Sequence, residues 1–164
     1  VKLVLLRHGI AEDRAPGGDE ARRLTRPGRK KLARGARGLA RLLDEVDAWA
    51  ASPLARAVET ARIAADELGG PDDPEELDAL RPEAPPGALL PWLRRQPVAS
   101  TALVAGHAPH LPALAAFLLG APGPLFELEK GGACLLELPR APRAGSARLG
   151  WLLTAKQLRK LGDA

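Results

Sequence analysis

Three short clusters hold most of this chain's capacity for chemistry: Arg7-His8-Gly9, Ser52-Pro53-Leu54-Ala55-Arg56 and Gly106-His107. Together they supply two guanidinium groups, two imidazoles and one hydroxyl. Guanidinium offers a planar fork of donors that fits carboxylate and phosphate, so this set suits an oxyanion. Free N–H groups at a helix start over Ser52-Pro53 would add to such a cage, with Ser52 as N-cap. Phosphoryl transfer spreads negative charge over three equatorial oxygens and asks for cations placed around them. A neutral imidazole can attack phosphorus and carry the phosphoryl group. His8, beside a glycine that leaves room for approach, is the expected nucleophile. The chain has three histidines and one cysteine, and no Cys/His/Asp spacing in it repeats a metal-ligand pattern. Neither a metal nor another cofactor is expected.

The clusters are far apart in sequence, so the fold must bring them together. Lys2 to Leu6 reads as a short strand buried on both faces, of the kind found in parallel sheets. Thr25-Arg26-Pro27-Gly28 is a helix start, with Thr25 as N-cap and proline in the first turn. Leu32, Ala36, Leu39 and Leu43 then share one helical face, while Arg29, Lys30, Arg34, Arg37 and Arg41 mostly occupy the other. That arginine series reads as the solvated side of an amphipathic helix, or else as an interaction patch. Val46–Ala50 is a second strand, and Leu54, Val58, Ala61, Ala65 and Leu68 mark a second helix ended by Gly69-Gly70-Pro71. A short helix is expected near Gly87–Arg95, a strand at Thr101–Ala105, and a helix using Leu111, Leu114, Ala115 and Leu118. Strands at Ala133–Leu138 and Arg148–Leu153 follow. Alternating strands and helices predict a single α/β domain over residues 1–164, a three-layer α/β/α sandwich with a mostly parallel central sheet. In such sheets ligands bind beyond the carboxyl ends of the strands, where all three clusters fall.

Composition narrows the function classes. Apolar residues make up 46% and charged residues 27% of the 164, the range of a globular protein. Aromatics are 3% with no tyrosine, which argues against a base-stacking surface. The net charge of +4 favours an anionic substrate; binding of a polyanion would need the arginines gathered on one surface. No nucleic-acid partner is expected. Cys134 is read as a strand residue, and the lone cysteine gives no sign of an oxidising compartment. With apolar runs too short to span a bilayer and no leader pattern before Val1, a cytoplasmic place without membrane partners is expected.

The ordered set Arg7-His8-Gly9, Ser52-Pro53-x-x-Arg56-Ala57-x-x-Thr60-Ala61 and Gly106-His107 resembles the histidine phosphatase superfamily, whose fold is phosphoglycerate mutase-like. Arg22-Arg23-Leu24-Thr25-x-x-Gly28 resembles the Arg-Pro-Leu-Thr-x-x-Gly stretch of its SixA-type phosphohistidine phosphatases, with Arg23 where proline is usual. The resemblance implies that His8 is phosphorylated and then released by water. It implies that Arg7 and Arg56 grip phosphoryl oxygens and that His107, as imidazolium, donates to one. Arg22 would reach the substrate, although the Arg23 replacement leaves open which of the two arginines faces inward. Arg56 could instead pair with Glu59, and His110 has no role in the pattern.

Many superfamily members protonate the leaving oxygen with a carboxylic acid, worth ~10²–10⁴ in rate. Glu83 is the one candidate in the corresponding region, and its context fits the usual acid poorly. Glu12 and Asp13 lie near the cations, which would lower their pKa and make them poor donors. A phosphohistidine substrate has less need of such a donor, because its imidazole leaves readily once protonated. The expectation is a phosphatase for protein phosphohistidine, such as a phosphorelay transfer domain. A small-molecule phosphomonoesterase of the same superfamily and a non-catalytic phosphate-binding module are the alternatives. Oligomeric state is not legible.

Overall fold

The computed structural model describes residues 1–164. Its strands are β1 (Lys2–Arg7), β2 (Ala48–Ala51), β3 (Glu75–Glu76), β4 (Thr101–Gly106), β5 (Ala133–Glu137) and β6 (Arg148–Leu153). Its helices are α1 (Arg26–Leu42), α2 (Ala55–Leu68), α3 (Leu90–Arg94), α4 (His110–Leu119) and α5 (Ala155–Asp163), with short 3-10 turns at 19–21, 78–80 and 86–89. One sheet runs in the order β3-β2-β4-β1-β5-β6. The pairs β2–β3, β2–β4 and β1–β4 are parallel, while β5 is antiparallel to both β1 and β6.

β1 shows why this is a sandwich. Side chains alternate across a strand, and Leu3 and Leu5 join a core with Leu111, Leu114 and Leu118 of α4 and Leu93 of α3. Val4 and Leu6 face the other way, into a core with Ala36 and Leu39 of α1, Ala64 and Ala65 of α2 and Leu158 of α5. Both faces are covered, so the strand is apolar throughout. Buried leucines and alanines do most of this filling, as the scarcity of aromatic residues requires.

The arginine face of α1 is largely tied to acids and helix ends. Arg34 pairs with Asp163 at 2.5 Å and Arg37 with Glu67 at 3.4 Å, and Arg41 donates to the Ala164 carbonyl oxygen. Of the two readings of this series, these pairings favour the solvated one. α5, not expected from the sequence, lies directly on α1. A Cβ on Gly38 would come within 2.0 Å of the Leu158 carbonyl oxygen, and one on Gly162 within 2.3 Å of that of Arg34. α5 starts on a capping box between Thr154 and Gln157.

Element limits differ from expectation in places. β2 begins at Ala48 rather than Val46, and the expected helix near 87–95 divides into a 3-10 turn and the five-residue α3. Pro86 and Pro91 sit at the start of each piece, where proline is tolerated. No helix is long and apolar enough to cross a membrane.

Candidate active site

Sheet register brings the three clusters together. In the β1–β4 ladder Arg7 lies opposite Gly106, and in the β2–β4 ladder Ala51 lies opposite Ala105. The ladders continue one residue further, with the His8 amide donating to Gly106 O at 2.9 Å and the Ser52 amide to Ala105 O at 3.0 Å. Three parallel strands thus end level, and the next residues are His8, Ser52 and His107. The two imidazole rings stand 5.3 Å apart between centroids, tilted by 59°.

His8 is 5% exposed. Its Nδ1 is 2.7 Å from the Gly9 carbonyl oxygen, which can only accept, so Nδ1 carries the proton and Nε2 keeps its lone pair. Burial pushes the ring's pKa down to about 4, helped by Arg56, Arg7 and Lys130, while the Gly9 hydrogen bond opposes the shift. His8 is therefore neutral at pH 7, as a nucleophile must be. Thr60, part of the Ser52–Ala61 pattern but given no role in it, anchors this arrangement. Its hydroxyl donates to Arg56 O at 2.7 Å and accepts from the Gly9 amide at 3.2 Å. Its place four residues after Arg56, one helical turn on, was the visible signal.

Arg56 is 6% exposed. It does not pair with Glu59, which accepts from the Leu24 amide at 3.0 Å and faces Arg23. Instead it donates through Nη1 to Asp19 O at 2.8 Å and through Nη2 to Asp19 Oδ2 at 3.3 Å. Arg22 holds the same carboxylate at 2.9 Å and donates to Glu12 O. Of the arginine pair, then, Arg22 turns inward and braces Asp19, while Arg23 points out to Glu59. Asp19 is the site neighbour that sequence reasoning missed; it depends on how the glycine-containing loop closes. Arg22 and Arg56 hold its carboxyl below the usual carboxylate range. Arg7 donates to Leu128 O at 2.9 Å, and burial lowers its pKa. The Nε atoms of Arg7 and Arg56 are buried without partners.

Ser52 is not the cap of α2; Leu54 occupies that position. The Ser52 hydroxyl, 0% exposed, accepts from the Leu54 amide at 3.3 Å and lies 2.8 Å from His107 Nε2. His107 Nδ1 is buried and unpartnered. Burial, followed by the neighbouring His8, Arg56 and His110, pushes the His107 pKa down to about 3. His107 is therefore a neutral ring at pH 7, whereas the resemblance implies an imidazolium at the moment it donates to the phosphoryl oxygen. His110 is buried, with neither ring nitrogen paired. Glu83 is exposed on the turn after residue 80, where its charge acts on His110. No group of three His, Cys, Asp or Glu side chains could hold a metal ion.

Beside Arg7 a cleft of about 500 Å³ runs between Ala108-Pro109 and the segment holding Phe126, Leu128 and Glu129.

Residues 3–82 match the model of the histidine phosphatase superfamily (branch 1). An uncharacterized protein of Picosynechococcus sp. (strain ATCC 27264 / PCC 7002 / PR-6) is 36% identical over 154 residues, covering 91% of this chain and 88% of that protein. The protein histidine phosphatase SixA, solved with tungstate, superimposes with a TM-score of 0.86 at 24% identity, over 96% of this chain and 99% of that one. A phosphoserine phosphatase from Entamoeba histolytica, in complex with phosphoserine, gives 0.70 at 18% identity over 96% and 98%.

Proposed function

The chain belongs to the histidine phosphatase superfamily, branch 1, and on that premise we propose that it is a metal-independent phosphohistidine phosphatase acting in the cytoplasm on a phosphohistidine-bearing protein. One observation carries this: two buried neutral imidazoles 5.3 Å apart, one with a free Nε2 lone pair, beside two arginines whose Nε atoms lack partners.

In the first step His8 Nε2 attacks phosphorus and the substrate's P–N bond breaks. The bonding pair stays on the departing imidazole nitrogen, and solvent supplies a proton to that ring. Arg7 and Arg56 hold the phosphoryl oxygens, and His107 donates to one of them. In the second step water attacks phosphorus, the P–Nε2 bond breaks, and inorganic phosphate leaves with His8 restored. The Arg56 fork must part from Asp19 as the phosphoryl group arrives.

The choice of a P–N bond is supported by the carboxylates. Asp19 is kept ionised by its two arginines and so is not set to protonate an alkoxide, and Glu83 is an exposed side chain that makes no hydrogen bond to a site residue. The fold likeness to a phosphoserine phosphatase and the cleft beside Arg7 favour a second reading, a small-molecule phosphomonoesterase. Rates on a phosphohistidine peptide and on a panel of sugar phosphates, nucleotides and phosphoserine separate the two. The proposal expects kcat/KM at least about a hundredfold higher on the phosphoramidate, about 2.7 kcal/mol in barrier. Equal or higher values on an alkyl phosphate overturn it.

A further inference from the structure

His107 must present a hydrogen-bond donor to the phosphoryl group, and the polar contacts around it decide which proton that is. Its Nε2 faces the Ser52 hydroxyl at 2.8 Å, and its Nδ1 has no partner in the chain. The rest of the Ser52 hydroxyl is accounted for. It has one hydrogen and two lone pairs, and the Leu54 amide takes a lone pair.

Two proton placements are then possible for a neutral ring. In one, Nε2–H donates to Ser52 Oγ. The serine hydrogen, fully buried, then has no acceptor, and the Nδ1 lone pair has no donor. In the other, Ser52 O–H donates to Nε2 and the ring proton sits on Nδ1, leaving a single unpaired group, the Nδ1–H. A buried unpaired polar group costs about 1–3 kcal/mol, so the second placement is favoured by one such group. The group it leaves open is a donor, which an oxyanion would satisfy.

We infer that Ser52 fixes His107 as the neutral Nδ1–H tautomer, so that the ring donates to the phosphoryl group without carrying a positive charge. Ser52 is thus a positioning residue, and its role rests on the phosphatase reading only for its consequence in turnover. The charged and titratable groups around His107 agree with it: Arg56 from α2 opposes a second ring proton, as do His8, after β1, and His110 of α4 whenever they are charged, and Asp19 alone favours one.

The tautomer is readable without turnover, by long-range ¹H–¹⁵N NMR of protein labelled at histidine. With three histidines in the chain, single substitutions assign the signals. His107 should show a pyrrole-like Nδ1 and a pyridine-like Nε2 near neutral pH, both free and with tungstate added. A pyridine-like Nδ1, or two pyrrole-like nitrogens as in an imidazolium, overturns the inference. Ser52→Ala should mix the tautomers and lower kcat about tenfold with KM little changed, and Ser52→Thr should restore both. Wild-type kcat in Ser52→Ala also overturns it. If Ser52→Ala fails to fold, the spectrum of the unaltered protein still decides. An enzyme inactive on phosphohistidine but showing the expected tautomer would refute the substrate assignment and leave this inference standing.

Discussion

Acidification should unfold this protein largely through its two site imidazoles. In the folded chain His8 titrates at about 4 and His107 at about 3, against 6.5 for an ordinary imidazole, with burial the main cause in each. A folded pKa below the unfolded one means that the unfolded chain binds more protons between the two values. The stability these rings permit is therefore complete above about pH 6.5 and is lost as pH falls toward the folded pKa. Between about pH 7.5 and about pH 4.5 the unfolded state gains a proton on each ring, while the folded state gains about a quarter of a proton on His8 and almost none on His107. Each ring then contributes a loss of about 2.5 kcal/mol, or about 5 kcal/mol together. That is a large share of the ~5–15 kcal/mol that holds a typical domain folded. His110, also depressed by burial, adds to the loss in the same sense, but comparison with single variants cancels it. Urea unfolding at half-unit pH intervals is the assay. In His8→Ala and in His107→Ala the fall between those pH values should be about 2.5 kcal/mol smaller than in the unaltered chain, whatever constant cavity cost each variant carries. Curves that run parallel to the unaltered protein would mean that these imidazoles are not held neutral by the fold, and the argument for His8 as a ready nucleophile would fail with them.

Asp19→Ala should tighten binding of tungstate or phosphate. Arg56 would no longer have to surrender a carboxylate, and for a pair whose acid side chain is 61% exposed the gain is about 1 kcal/mol, roughly fivefold in Kd. Isothermal titration calorimetry reads this, and unchanged or weaker binding refutes it. Gly38→Ala should cost at least about 2 kcal/mol, because its Cβ would overlap the Leu158 carbonyl oxygen at 2.0 Å and force α5 off α1. Gly123→Ala, where nothing lies within 4 Å, is the matched control and should change stability by under about 0.5 kcal/mol; equal effects in urea unfolding would refute the close approach.

Much of this architecture is legible in the sequence, for local physical reasons. Helices α1, α2 and α4 show apolar residues at helical spacing, and β1 and β4 are apolar runs of strand length that end in glycine and polar residues. Thr25 caps α1 as its sequence context predicts, its hydroxyl accepting from the Gly28 amide at 3.0 Å. The elements missed are short ones: β3 of two residues and α5 of nine. β3 consists of Glu75 and Glu76, paired only because β2 lies alongside. α5 buries just Ala155 and Leu158; its capping residues Thr154 and Gln157 were present to be noticed. At the site, the register of parallel strands that are distant in sequence unites His8, Ser52 and His107. The expectation that strand ends converge anticipated this, while the partners were beyond local reading. Ser52 looks like a helix cap from its neighbours alone, yet its hydroxyl serves an imidazole 55 positions away. Asp19 and Arg22 depend on loop closure, which no periodicity encodes.

The central claim is that His8 carries the phosphoryl group between substrate and water. Rapid mixing with excess phosphohistidine peptide, quenching in alkali where phosphohistidine survives, and peptide mass spectrometry tests it directly. A burst of one phosphoryl group per active site should be found on the peptide containing His8, and His8→Ala should show neither burst nor turnover. Turnover that persists in His8→Ala, or a phosphoryl group trapped on another residue, would contradict it.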